Sequence, residues 1–183
     1  MLVTLSGLPG SGTTTAARAV SADLGVEWVN GGALWRAMAA ERGMDVAEFS
    51  RYAETHPDVD VELDQRLSDR ARVGQCLLES RLAGWLATRA GTPGVRVWVT
   101  CDEELRARRV ARREGVPVEV ALAQNKAREA SEGTRYHRLY GIDLDDLSIY
   151  DLVLDSGELT PEALAGAVGD AARARFGDGR PPW

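Results

Sequence analysis

Gly7-Leu8-Pro9-Gly10-Ser11-Gly12-Thr13-Thr14 follows directly on the apolar run Leu2-Val3-Thr4-Leu5. A short strand that feeds a glycine-rich loop and then a helix is the layout of a phosphate-binding P-loop, GxxxxGK[ST]. Glycines at 7, 10 and 12 let successive backbone N–H groups turn inward around an anion. The helix expected from Thr13 to Leu24 adds its positive N-terminal end. Thr14 stands where a hydroxyl would coordinate Mg²⁺. Thr13 stands where the motif normally has lysine, so the ammonium that would neutralise donor phosphates is missing. A turn that merely joins strand to helix is the plainer alternative, and the strand–loop–helix context speaks against it.

Outward from the loop, short apolar runs alternate with longer helical ones. Strands are expected at Leu2–Leu5, Glu27–Val29, Gln75–Leu78, Val95–Val99 and Tyr150–Leu154. Continuous apolar runs of this length suit strands covered on both faces. Helical patterns occupy about 13–24, 32–43, 58–73, 81–89, 102–114 and 117–139, and a last one follows Thr160-Pro161, an N-cap with proline in the first turn. Alternation of this kind predicts an α/β fold, a five-stranded parallel sheet between two layers of helices. Ligands in such folds bind at the carboxyl ends of the strands. Two segments look inserted: 36–74, with several helices and a break at His56-Pro57, and the charged stretch 102–139. In a phosphotransferase these are the natural acceptor cover and donor lid.

The 183 residues fit one domain, expected over 1–176, with a turn-rich flexible tail at 177–183. Apolar residues at 44% and charged residues at 27% are those of a soluble globular chain. No apolar run approaches the length of a membrane span, and Leu2–Leu5 is too short for a signal-peptide core, so a cytoplasmic location without membrane association is expected. A net charge of −6 speaks against nucleic-acid binding. Of the 22 basic residues all but Lys126 are arginine, so phosphate contacts beyond the backbone must be mostly guanidinium. Cys76 and Cys101 have no metal-ligand spacing and read as reduced thiols. His56 and His137 have no ligand pattern around them.

Candidate chemistry gathers after the strands. Gly31-Gly32 permits close backbone approach, and Arg36 follows one helical turn later. Arg81 follows the third strand directly. Glu79, two residues before it, is placed either to assist Mg²⁺ through water or to orient Arg81, with orientation favoured. Arg106, Arg108, Arg109, Arg112 and Arg113 form a basic helix on which 109, 112 and 113 share a face. Arg128, Glu132 and Arg135 share a face of the next helix. Solvated faces and internal Glu–Arg pairs are the plain alternatives for both helices.

GLPGSGTTT (7–15), GGALWR (31–36), ERGMDVAEFSRYAETHPDVD (41–60), LESRLAGW (78–85), RVARREG (109–115) and YGIDLDDLSIYDLVLDS (140–156) together resemble the archaeal-type cytidylate kinases, a group of nucleoside monophosphate kinases. The resemblance covers nearly the whole chain, and members of that group carry the same GSGTTT loop. It implies a three-layer P-loop fold with a helical acceptor insert and a helical lid. It also implies transfer of phosphate from ATP, with Mg²⁺, to CMP or dCMP. By position, Gly7, Leu8, Pro9, Gly10, Ser11, Gly12, Thr13, Thr14 and Thr15 would hold the ATP phosphates, with Thr14 on the metal. Gly32, Arg36, Arg81, Arg128 and Glu132 would bind the acceptor. Arg109, Arg113 and Arg135 would stabilise the transferring group, with Arg112 as a further lid arginine. A monomer is expected, with a dimer left open. Ala33 and Gly31 depart from the archaeal pattern, and Leu82 replaces an acid of bacterial members, so phosphate handling transfers more firmly than base identity. The alternatives are a kinase for a modified pyrimidine nucleotide or another small acceptor, an ATP-binding remnant without turnover, and a GTPase-type switch. Asn125-Lys126 continues as Ala127-Arg128 and lacks the aspartate such a switch needs.

Overall fold

A computed structural model of the protein describes residues 1–177. Five strands, β1 (Leu2–Gly7), β2 (Glu27–Asn30), β3 (Cys76–Glu79), β4 (Val95–Thr100) and β5 (Leu152–Asp155), form one sheet in the order β2-β3-β1-β4-β5. Every pairing is parallel. The helices are α1 (Thr13–Leu24), α2 (Gly31–Glu41), α3 (Val46–Thr55), α4 (Asp58–Val73), α5 (Ala83–Arg89), α6 (Glu103–Glu114), α7 (Val118–Tyr140) and α8 (Pro161–Phe176). The α/β expectation is met.

Side chains alternate across the sheet, and two cores result. Val3, Leu5 and Leu77 pack with α1 and α8 through Ala16, Val20, Leu164 and Val168. Leu2, Cys76 and Leu78 face the other way, onto Leu67 of α4, Leu86 of α5 and Tyr136 of α7. β1 is buried along its whole length, which is why its sequence reads as a mostly apolar run broken only by the small residues Thr4 and Ser6. A third core belongs to the insert alone: Trp35 and Met38 of α2, Phe49 and Ala53 of α3, and Val59 of α4. The Trp35 and Phe49 ring centroids lie 4.5 Å apart. α3 begins at a capping box in which Asp45 and Glu48 satisfy each other's backbone N–H groups.

Most differences from the expected bounds are local. β1 extends to Gly7 because Ser6 and Gly7 still pair with Trp98 and Val99. β5 starts at Leu152 instead of Tyr150. Asp151 leaves the strand and accepts a hydrogen bond from the Arg96 N–H at 2.7 Å, while Tyr150 packs on Trp98. Gly177 caps α8 through its N–H, and the rest of the expected tail, 178–183, lies outside the described residues. Among the described residues no helix is long and apolar enough to cross a membrane. Cys76 and Cys101 are both free thiols.

Phe49 is fully buried at the centre of the insert's own core. Phe49→Ala is expected to cost about 3–5 kcal/mol in urea unfolding; a cost below about 1 kcal/mol would mean that this core collapses around the cavity.

Candidate active site

The loop from Leu8 to Gly12 leaves the carboxyl end of the central strand and enters α1. Gly10 has φ of +84°, and a Cβ there would lie 2.6 Å from the Arg106 carbonyl oxygen of α6. Glycine is therefore required at 10 by backbone angle and by contact together. Ser11 closes the turn by donating its N–H to the Leu8 carbonyl at 3.1 Å. Gly12, also left-handed, caps α1 and leaves the first N–H groups of that helix without a side-chain cap. Those are the donors an anion would use.

Beneath the loop, Trp28, Asn30 and Glu79 point to the same side of the sheet as Leu77 and Leu5. Asn30 lies opposite Glu79 in the β2–β3 register, and Trp28 lies two residues earlier on its strand. Glu79 is 7% exposed. Its Oε1 accepts hydrogen bonds from the hydroxyls of Thr13 (2.9 Å) and Thr14 (2.6 Å). Its Oε2 accepts from the Trp28 indole N–H (3.0 Å) and the Asn30 amide (2.8 Å). All four donors are neutral. Asn30 Oδ1 in turn accepts the Ala33 N–H at 2.7 Å and caps α2.

On the other side of the loop stands Arg81. It donates to the Gly7 carbonyl, and through Nε to Glu132 Oε2 at 2.6 Å. Arg128 Nε holds the second oxygen of Glu132 at 2.7 Å. Burial pushes the Glu132 carboxyl up, but Arg81 and Arg128 outweigh it and hold it down at about 2. Arg81 loses less to burial than it gains from Glu132 and stays protonated. Two cations around one acid leave a net positive charge of one beside the loop.

Residues 2–158 match the cytidylate kinase-like family. The chain belongs to that family. It is 44% identical over 172 residues to a cytidylate kinase of Methanocaldococcus jannaschii, covering 93% of this chain and 97% of that protein. It is 46% identical over 165 residues to a cytidylate kinase of Methanopyrus kandleri, covering 85% and 84%. A shikimate kinase from Acinetobacter baumannii, solved with shikimate, shares the fold at a TM-score of 0.64 and 15% identity, over 96% of this chain and 94% of that one.

In this cytidylate kinase-like chain the expected site residues divide into three groups. Gly7 to Thr15 form the loop, and Arg81, Arg128 and Glu132 converge beside it. Gly32 and Arg36 lie at the start of α2; Arg36 is exposed and its guanidinium folds back toward Gly32. Arg109 grips the loop from its flank. It donates to the Gly10 carbonyl (3.4 Å) and to the Ser156 hydroxyl and carbonyl (2.8 and 2.7 Å).

Three expected contacts are not made in this structure. Arg113 does not reach the loop: it is exposed in the last turn of α6 and pairs with its neighbour Glu114 at 2.7 Å. Arg135 does not face the phosphate site either. It is buried, with Nε 2.8 Å from Asp60 of α4 and its guanidinium over the Trp35 ring, so it clamps α7 to the insert. Glu79 does not orient Arg81. Parity on β3 sends Glu79 toward α1, and the turn at Ser80 sends Arg81 toward α7, where Glu132 orients it.

Sequence reasoning gave no individual role to four residues that support the site or the insert beside it. Asn30 was legible as a cap directly before Gly31-Gly32. Trp28 shares its parity. Arg106 lies three residues before Arg109; it is buried, and supports the loop through the Pro9 carbonyl at 3.2 Å. Asp60 gave no local signal, since its partner is on a distant helix.

Asp64, one turn beyond Asp60, is also buried, and its Oδ2 has no hydrogen-bond partner. Burial pushes its carboxyl up to about 7; Tyr140 and Arg135 oppose the rise and Asp60 adds to it. The folded chain thus binds this proton more tightly than the unfolded one, so Asp64 lowers stability as pH rises from about 4 through 7. Asp64→Asn is expected to raise the melting temperature more at pH 8 than at pH 5; an equal effect at both would show that Asp64 is ionised throughout.

Proposed function

We propose that the protein transfers the γ-phosphoryl group of ATP to CMP or dCMP, with the loop as donor site and the Arg81 cluster as acceptor-phosphate site. One observation carries this above all: Arg81 joins the Gly7 carbonyl to Glu132 and Arg128, so the cations for an acceptor phosphate stand at the edge of the donor loop. Family membership and the cytidylate kinases of two archaea, each over 40% identical, support cytidylate as the acceptor. In this reading residues 36–74 cover the acceptor and 102–139 form the donor lid.

The nucleophile is a phosphate oxygen of the acceptor, already anionic at neutral pH, so no general base is required. Neither histidine is offered as one: His56 stacks on Tyr52 with centroids 3.7 Å apart, and His137 is exposed on α7. Catalysis rests on alignment and charge neutralisation. The backbone N–H groups from Gly10 to Thr14 hold the donor phosphates. Arg36 and Arg81 hold the acceptor phosphate, and Arg128 assists from Glu132, which it shares with Arg81. Arg109 fixes the loop instead of touching the transferring group. Thr14 and Glu79 fit a Mg²⁺ ion: both are hard oxygen donors, and the buried Glu79 charge has only neutral partners in the chain. When bound there, the metal would neutralise phosphate charge.

Coupled ADP-release kinetics with CMP, dCMP, UMP and AMP test the assignment. CMP and dCMP should exceed UMP and AMP in kcat/KM by roughly tenfold or more; equal use of AMP would reject it. Arg36→Ala, at an exposed position, should raise the KM for CMP by roughly tenfold or more and leave the KM for ATP near its starting value. Arg81→Ala should lower kcat/KM by about a hundredfold or more. Near-normal turnover in both variants would remove these arginines from the acceptor site.

A further inference from the structure

Glu79 divides its two oxygens between the two substrate sites. Oε1 takes both hydroxyls at the start of the donor helix, Thr13 and Thr14. Oε2 takes Trp28 and Asn30. Asn30 then passes the connection on, because its other amide atom caps α2 at the Ala33 N–H. α2 begins with the two glycines and carries Arg36, one turn in. A continuous chain of hydrogen bonds therefore runs from the donor loop, through one buried carboxylate and one amide, to the first turn of the acceptor helix.

We propose that Asn30, assisted by Trp28, is a positioning residue that couples the two sites: a nucleotide held in the donor loop strengthens binding of CMP at α2, and CMP strengthens binding of the donor by the same factor. The proposal rests on the assignment of the loop to ATP and of α2 to the acceptor phosphate.

The physical basis is shared ordering. Thr13 and Thr14 can hold Glu79 in one place only if its carboxylate does not turn, and Asn30 can cap α2 squarely only if Oε2 stays where it is. A ligand that orders either end fixes the carboxylate, so the second ligand has less left to order. Linkage makes the effect reciprocal. The Asn30 amide is suited to this because it donates with Nδ2 and accepts with Oδ1 at once. A hydroxyl is too short to span the same two partners, and a carboxylate cannot donate. Trp28 supplies the second N–H to Oε2, which keeps that oxygen from rotating away when the donor loop is occupied.

Calorimetry on the full chain tests this with CMP, titrated alone and in the presence of a saturating non-hydrolysable ATP analogue. The native protein should bind CMP at least about fivefold more tightly with the analogue present. Asn30→Asp keeps the cap on α2 but turns the Nδ2 donor into an oxygen that faces Oε2. Trp28→Phe removes the indole N–H and keeps an aromatic ring. In each variant the analogue alone is titrated to confirm that the donor loop still binds it, and the coupling factor, taken as the ratio of that variant's own CMP affinities with and without the analogue, should fall toward one. Native coupling in both variants, or none in the native protein, overturns the proposal while leaving the function intact. Failure of the native protein to bind either nucleotide would instead overturn the function, and the coupling with it.

Discussion

The Arg81 guanidinium is the point at which the sheet, the phosphate loop and the long helix α7 meet. It is held by the carbonyl of the last residue of β1 and by Glu132 in the middle of α7. α7 has 23 residues, about 35 Å of helix. It packs on α6 through Ala121, and the Glu132 ion pair ties its middle to the end of β3. Breaking a buried pair of this kind strands the remaining charge, which costs far more than the pair contributes against an apolar replacement. The pair therefore specifies the position of α7 more than it adds stability, and α7 positions Arg128 and Arg135 in turn.

Three further arginines each find a different anchor, and each anchor answers a different structural need. Arg106 and Arg109 hold loop carbonyls, Pro9 and Gly10, from α6. Arg135 ties α7 to α4 through Asp60. A guanidinium has five donors in a fixed plane, so one side chain can hold a carbonyl and a hydroxyl or an acid together, as Arg109 does with Gly10 and Ser156. Lysine could not reproduce these forks. An almost lysine-free chain is thus consistent with a site in which arginine is structural first, with only Arg36 and Arg128 keeping substantial exposure.

Much of this was legible in the sequence, and the parts that were not share one cause. α4 was readable to the residue, because Asp58 and Asp60 mark its first turn and Gly74 stops it. The loop and the parallel sheet followed from local spacing and from the alternation of strands and helices, while the placing of Arg81 with Arg128 and Glu132 came from the family resemblance. Arg135 shares its helical face with Arg128 and Glu132, yet its partner Asp60 comes from another helix, and spacing along α7 carries no information about that. Glu79 was two residues from Arg81, which suggested contact. Alternation alone would put residues 79 and 81 on one face, but β3 ends at Glu79 and the turn at Ser80 sends Arg81 the other way. Nearness in sequence predicts contact on a helix at three or four residues, whereas at a strand end it predicts opposite faces as often as the same one.

The threonine in the lysine position becomes intelligible from Glu79. A lysine at 13 would stand beside this buried carboxylate and pair with it, so its charge would be spent on the protein before any phosphate arrived. With threonine there, the carboxylate is held by neutral donors alone. An anion in the loop then meets backbone dipoles and the α1 terminus directly, while the uncompensated Glu79 charge lies beneath it, on the far side of the Thr13 and Thr14 hydroxyls. Two negative groups so close are stable together only with a cation between them. Under the proposed function the loop and the acid are parts of one arrangement, in which the charge a resident ammonium would supply would arrive with the nucleotide and its metal.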